Sequence, residues 1–422
     1  MTVCVVLFTR DLRVHDNPAL AQSARAFDAV VPLFVHDAAL AVGEHRRRFL
    51  RGALDDLRAA LRRRGGDLAE LRGDPVHEAL RVARSAGATA IAVAGDVSGY
   101  ARSRETRLAA AGVAFKTFPG VTVLPPGAVR PGGGGSHYKV FTPYYRAWEA
   151  ASWRPVLDAP ERLVLPPDLP KSWFKGTTGS AGETAARQRL SSWLPSLSSY
   201  ADIHDDLAAD RTSRLSPYLH FGCLSPREVA ETVRGREGAE PFLRQLCWRD
   251  FYHQVLSAFP ALRHQAYRSG AEDRWRDEKD ALQAWQEGHT GVPIVDAGMR
   301  QLLAEGWMHN RARLITASFL TKHLNLDWRA GGDHFFDQLL DGDVANNYGN
   351  WQWVAGTGND TKPYRRFNPI RQAERFDPTG DYVRRYVPEL AGIPGKAVHE
   401  PWKRPAAERR GYPAPLALDV SA

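Results

Sequence analysis

The 422-residue chain contains only three cysteines, Cys4, Cys223 and Cys247, far apart and without C-x-x-C spacing. That pattern excludes a disulfide scaffold and argues against a cysteine zinc cluster, so the thiols are expected to be reduced and mostly packing. No apolar run approaches the length a bilayer span requires, and no membrane partner is expected. The opening MTVCVVLFTRDLR reads as a short strand meeting charges rather than a secretory leader, which points to a cytoplasmic location. G-x-G-x-x-G is missing, which disfavours a nicotinamide dinucleotide site. His309 has no partner at H-E-x-x-H spacing and Asp341 with Asp343 lacks further ligands, so no metal is expected.

What is present begins with charge. The formal net charge is +8, which suits an anionic partner, although an arginine-rich composition also reflects a GC-rich genome. Between Lys362 and Arg385 seven basic residues face three acidic ones, with Tyr364, Phe367, Phe376 and Tyr382 interleaved. The segment is either a solvated surface or a phosphate-contacting rim with apolar support.

The first 120 residues alternate strand and helix signals. VCVVLF, AVVPLFV, DLAELRG, ATAIAVAG and AFKTF are short runs separated by helical stretches such as HRRRFLRGALDDLRAALRRRG, with Leu50, Leu54, Leu57 and Leu61 on one face. The pattern predicts a parallel sheet with right-handed crossovers, and TRDLRVHDNP after the first strand becomes a candidate binding loop. LPPGAVRPGGGGS then breaks the pattern, and beyond Ala185 the signals are helical. The expected fold class is therefore α/β plus all-α: a Rossmann-like, doubly wound parallel sheet over 1–125, a linker over 126–185, a helical domain over 186–395 and a tail over 396–422.

Four stretches could carry chemistry. TSRLSPYLHFGCLSP holds two Ser-Pro steps, Ser216 and Ser225, each expected to cap a helix, with Glu228 completing a capping box at the second. The hydroxyls of Thr212 and Ser213, beside Arg214 at a helix entrance, would suit an anion. RQLCWRDFYHQ puts Gln245, Trp248, Arg249 and Tyr252 on one helical stripe; such a stripe is ordinarily core, but burying its polar members without a partner would be expensive. GWMHNRARLITASF opens an apolar helix with His309, Asn310, Arg311 and Arg313, polar groups suited to a pocket or a phosphate. ANNYGNWQW, residues 345–353, fits neither a plain helix nor a plain strand, because Asn favours turns and a buried Trp needs a partner for its indole N–H.

Together with DWRAGGDHFFDQLLDGDVANNYGNWQW, AWQEGHTGVPIVDAGMRQLLAEGWMHNRARLITASFLTKHL, RFNPIRQAERFDPTGDYVRRYVPEL and the opening LFTRDLRVHDNPAL, these stretches closely resemble the photolyase/cryptochrome family, in order from residue 3 to about 390. The likeness is greatest to bacterial, class I-like enzymes acting on cyclobutane pyrimidine dimers in DNA. It implies one FAD in the helical domain and damaged DNA as partner, with the protein monomeric and DNA-associated in the bacterial cytosol. Carried over by position, Tyr200, Thr212, Ser213, Arg214, Leu215 and Ser216 surround the flavin phosphates and ribose. Arg249, Arg313, Asp341, Gly342, Asp343 and Asn347 line the rest of the cofactor. Arg313 and Asp341 are expected to pair, and Asn347 to offer an amide donor to flavin N5, with Asn346, Tyr348 and Asn350 shaping a turn. Trp351, Trp328 and Trp275 match the chain of tryptophans that carries electrons to the flavin. Trp353 and Trp248 match aromatic walls around a flipped lesion, with Gln245, Arg249, Tyr252, Asn310, Arg311 and Gln372 at the substrate or DNA.

Two departures bear on specificity. Gln245 stands where the cyclobutane-dimer enzymes carry Glu and where (6-4) photolyases carry Gln, while WMHNRAR keeps the Asn-Arg pattern of the cyclobutane-dimer enzymes. Tyr100 and Ala101 replace the Asn-Glu pair with which relatives grip folate. A deazaflavin antenna (8-HDF) is therefore favoured over methenyltetrahydrofolate, with a second flavin or an empty antenna site as alternatives. A cryptochrome-type blue-light receptor is the competing reading, disfavoured by Asn347 and by the short stretch after VPEL.

Overall fold

The computed structural model describes residues 1–40, 43–167, 169–174, 181–271 and 273–417. Parts of the expected linker (168, 175–180) and tail (418–422) lie outside the described residues. The chain divides into two compact units, Met1–Ser198 with Ser213–Pro260, and Ser199–Thr212 with Ala261–Ala422.

In the first unit the five expected strands are all formed. They are β1 (Val3–Phe8), β2 (Ala29–His36), β3 (Ala69–Arg72), β4 (Ala90–Ala94) and β5 (Ala114–Phe118), parallel and in the order β3-β2-β1-β4-β5. Interleaved are α1 (Pro18–Ala26), α2 (Glu44–Arg62), α3 (Pro75–Ala86) and α4 (Gly99–Ala109). The central strands are continuously apolar because a parallel sheet is covered on both faces. Val5, Leu7, Val31, Leu33, Ile91 and Val93 are buried in one cluster, each stabilising the fold by roughly 1.5–3 kcal/mol. Asn17, Asp74 and Ser98 cap α1, α3 and α4 through their side chains, which fixes where each crossover turns. On α2, Leu54, Leu57 and Leu61 are buried while Leu50 is only partly covered.

TRDLRVHDNP spends its polar groups internally. Arg13, with none of its surface exposed, donates to the carbonyls of Asp16, Gly120 and Gly222, and the Asn17 amide donates to Asp11. The same unit contains α5 (Phe141–Ala150), inside the stretch expected as linker, where Phe141, Tyr144, Tyr145 and Trp148 are buried at i, i+3, i+4 and i+7. After α6 (Glu183–Trp193), and the short α7 (Tyr200–Ile203) of the other unit, come α8 (Ser216–His220), α9 (Pro226–Val233) and α10 (Ala239–Ala258). Asp250 on α10 accepts from the backbone N–H groups of Val123 and Leu124 and from the Trp148 indole N–H at 2.9 Å. Burial pushes its carboxyl up to about 6.

The second unit is helical: α11 (Lys279–Glu287), α12 (Pro293–Glu305), α13 (Asn310–Ser318), α14 (Trp328–Gln338), α15 (Val344–Ala355), α16 (Pro369–Phe376), α17 (Asp381–Tyr386) and α18 (Ala406–Arg409). The long apolar run around GWMHN is broken at Gly306, whose φ of 63° makes a left-handed cap ending α12. His309 starts α13, which passes into one π-helical turn at Phe319–His323. In the C-terminal stretch, Tyr412 donates to the buried Asp296 and Leu416 N–H to Thr290 O at 2.9 Å. None of the described helices is long and apolar enough to cross a membrane.

Candidate functional site

ANNYGNWQW proves to be helical, most of α15, against the expectation drawn from its composition. The weak helix propensity of Asn is overridden because every amide there finds a partner. Asp343 caps the helix by accepting from the backbone N–H of Asn346 at 2.8 Å, and also takes the Asn346 side-chain amide. The Asn350 amide donates to Asn346 O, and Gln352 donates to Leu262 O and Gln265 O. Asn346, Tyr348 and Asn350 thus build a helix rather than a turn. Asn347 donates one of its two amide N–H groups to Gly332 O at 2.8 Å, which anchors the side chain to α14 and does not use up the second N–H.

Trp351 is 3% exposed and meets Phe335 and Trp285 edge-on, with ring centroids 5.0 and 5.9 Å away. Two glycines of α14 make room for it. A Cβ on Gly331 would lie 2.3 Å from Trp351 Cη2, and one on Gly332 would touch both Tyr348 and Trp351. Trp328 is fully buried beneath the Arg329 guanidinium, 4.6 Å from its ring. Trp275 is partly exposed and its indole N–H donates to Asp273 at 2.6 Å. Trp353 is half-buried with Arg365 over its ring.

The expected Arg313–Asp341 pair forms at 2.9 Å, and Arg313 also holds Met308 O. Gly342 is buried in the same turn. Arg311 is answered by Asp205 through two hydrogen bonds and lies over Phe376, while Asn310 is exposed. His309 caps α13 by accepting from Arg311 N–H. Burial pushes its imidazole down to about 4, leaving it neutral. Its Nε2 is buried without a hydrogen-bond partner, as is Gln372 Oε1 on α16. Tyr200 is buried at the start of α7, and Thr212 is half-buried in the same unit.

The remaining expected residues belong to the first unit. Ser213 accepts at its carbonyl from Arg189, and its hydroxyl accepts from Leu215 N–H. Arg214 takes a left-handed φ of 50°, which folds the chain sharply into α8. Leu215 is buried and is the capping residue. Ser216, expected as the cap, is the first helical residue and makes no capping hydrogen bond. Ser225 does cap α9, accepting from Glu228 N–H at 3.3 Å, but the Glu228 carboxylate pairs with Arg187.

Gln245 is exposed, so no burial cost attaches to it. Arg249 donates to the carbonyls of Val121 and Leu219. Trp248 stacks on Phe141 at 3.7 Å with an interplanar angle of 3°, and Tyr252 is buried beside it. Phe141 covers a face of Trp248, and the sequence alone does not single it out because the glycine-rich run before it reads as linker. Its signal was the F-x-x-Y-Y-x-x-W spacing.

The second unit's donor set fits a flavin. Asn347 is a buried amide anchored to Gly332 O by one N–H, Arg313 and Asp341 form an ion pair, and His309 and Gln372 keep buried polar atoms unused. Comparison with known proteins agrees with that chemistry. Residues 4–163 match the family described as DNA photolyase, and residues 242–420 match the FAD binding domain of DNA photolyase. A deoxyribodipyrimidine photo-lyase of Streptomyces griseus is 49% identical over 99% of this chain and 96% of its own. A class III photolyase from Agrobacterium tumefaciens superposes with a TM-score of 0.91 at 34% identity, over 99% of this chain and 94% of that one. A cryptochrome from Synechocystis sp. PCC6803 reaches 0.90 at 29% identity, over 99% and 96%. With both halves matched and nearly the whole length shared, the chain belongs to the DNA photolyase family.

Proposed function

We propose that this protein repairs cyclobutane pyrimidine dimers in DNA by light-driven electron transfer, as a carbon–carbon lyase. The observation that carries the reading is the 49% identity, across 99% of the chain, to a protein named for that reaction. FAD, when bound, would supply the chemistry, reversible one-electron reduction of the dimer from its excited reduced state. The chain's own residues position and insulate. Arg313 and Asp341, with Asn347 tethered through Gly332, hold the isoalloxazine side, and Tyr200, Thr212 and Ser213–Ser216 serve the phosphates and ribose. Trp351, Trp328 and Trp275 refill the cofactor with electrons.

Trp248 and Trp353 offer aromatic faces to the flipped lesion, whose extrusion costs roughly a few kcal/mol and less where pairing is already damaged. Gln245, Arg249, Tyr252, Asn310, Arg311 and Gln372 serve the lesion and its flanks. The exposed Lys362, Arg365 and Arg366 support a phosphate rim. We assign residues 1–125 to an antenna domain, 126–185 to a linker, 186–395 to FAD and DNA, and 396–422 to a tail. A deazaflavin is the antenna: Ala101 is a buried methyl and the Tyr100 hydroxyl is committed to Asp37, so neither provides the amide and carboxylate that grip folate. The protein acts as a monomer in the cytosol.

Gln245 favours one second reading, a (6-4) photolyase. Blue-light repair of oligonucleotides carrying either lesion decides between them. Restoration of the cyclobutane dimer is expected; restoration of the (6-4) product alone, or of neither, overturns the proposal.

A further inference from the structure

We propose that Tyr348 is a second electron donor to Trp351, forming a tyrosine arm beside the tryptophan chain, with Asp333 taking the phenolic proton. The inference rests on reading Trp351 as an electron donor to the flavin, and three features of the second unit carry it.

The first is proximity. A methyl group on Gly332 would lie 3.0 Å from Tyr348 Cε1 and 3.6 Å from Trp351 Cδ1, so this one glycine separates the two rings. The second is a route for the proton. Tyr348 is fully buried and donates its hydroxyl hydrogen to Asp333 Oδ1, while the Asp333 side chain keeps half its surface in solvent. The third is charge. Arg263 lies 5.4 Å from the Tyr348 ring centroid and pairs with Asp333 at 3.1 Å. A cation over the ring opposes build-up of positive charge there, so oxidation is feasible only if the proton leaves with the electron. Asp333 provides for that.

Among the described residues Trp285 is another oxidisable ring that touches Trp351; it is fully buried and donates its N–H to the carbonyl of Thr316 at 3.0 Å. A backbone carbonyl accepts a hydrogen bond but does not take a proton, so oxidised Trp285 would keep its charge in an apolar interior.

The step balances as follows. With FAD bound, Trp351 would give one electron to the photoexcited oxidised cofactor, which would gain it, and Trp351 would be left as an indole radical cation. One electron passes from Tyr348 to Trp351, restoring the neutral indole, and the Tyr348 O–H bond breaks as its proton forms a bond to Asp333 Oδ1. The products are a neutral tyrosyl radical and a protonated Asp333, which releases the proton to water.

The test uses flavin-loaded protein in which Trp328→Phe removes the expected next tryptophan. Flash photolysis of W328F should show the narrow absorption band of a neutral tyrosyl radical, and its EPR spectrum should collapse with ring-deuterated tyrosine. In the W328F/Y348F double variant that signal and the remaining photoreduction should disappear. Asp333→Asn in the W328F background keeps the ring and removes the proton acceptor, so the tyrosyl signal should form more slowly. No tyrosyl signal in W328F, or a signal that survives Y348F, overturns the proposal. W351F separates the two readings: normal photoreduction without Trp351 sinks both, whereas a dead W351F with no tyrosyl signal in W328F sinks only the tyrosine arm.

Discussion

The side-chain amide of Asn347 donates to the carbonyl oxygen of Gly332 at 2.8 Å, joining α15 to α14. One hydrogen bond thus ties two helices together through one of the amide's two N–H groups. Asn347→Leu is expected to remove the tie between the helices while Gly332 O keeps its helical N–H donor, and to cost about 0.5–1.5 kcal/mol. Urea unfolding of wild type and variant measures it, and an unchanged midpoint would mean that the bond contributes nothing.

Trp351 sits in a slot that only glycine at position 331 leaves open. Gly331→Ala would drive a methyl group into Trp351 Cη2 at 2.3 Å and Leu320 Cδ2 at 2.5 Å. Overpacking of that kind costs roughly 1–3 kcal/mol. A lower unfolding midpoint together with altered tryptophan fluorescence is expected. An unperturbed variant would show that the ring has room to move.

Trp351→Phe tests the electron path directly. Photoreduction of oxidised FAD is expected to stop, while protein reduced chemically continues to repair. Following the flavin spectrum under blue light checks the first half and a lesion assay after dithionite treatment checks the second. Normal photoreduction would remove Trp351 from the path.

Two buried groups give the stability opposite slopes against pH. Burial raises the Asp250 carboxyl from 3.8 to about 6, so its contribution is complete below pH 4 and is lost as pH rises through 6. Burial lowers His309 from 6.5 to about 4, so its contribution is complete above pH 6.5 and is lost as pH falls towards 4. Each shift corresponds to something on the order of 3 kcal/mol. Relative to wild type, Asp250→Asn should gain stability as pH rises from 4 to 7, and His309→Gln should lose it. Denaturant titrations at both pH values read the two signs separately, and parallel profiles would contradict them.

Arg365 is exposed, with its guanidinium over the Trp353 ring at 5.2 Å. If it meets a DNA phosphate, Arg365→Ala should lower the slope of log affinity against log salt by about one. A weaker affinity with an unchanged slope would make its role aromatic packing instead.

Much of the architecture was legible because its signals are local. The five strands follow from short apolar runs, and the cap at Ser225 follows from one residue and its immediate neighbours. The chain therefore determined by itself a parallel sheet followed by helices, and its motifs were enough to suggest the family. Tertiary structure decided what depends on residues distant in sequence. ANNYGNWQW became a helix because Gly331, Gly332, Leu262 and Gln265 accommodate its rings and amides. Residues 141–150 became a helix held by the buried carboxylate of Asp250, a hundred residues further on. Tyr348 gained Asp333 as proton partner from a neighbouring helix. Local propensities differ by less than about 1 kcal/mol per residue, whereas a buried polar group left unpaired costs more than that. Where the two conflict, long-range hydrogen bonding and close packing override the local preference, and a single sequence does not display them.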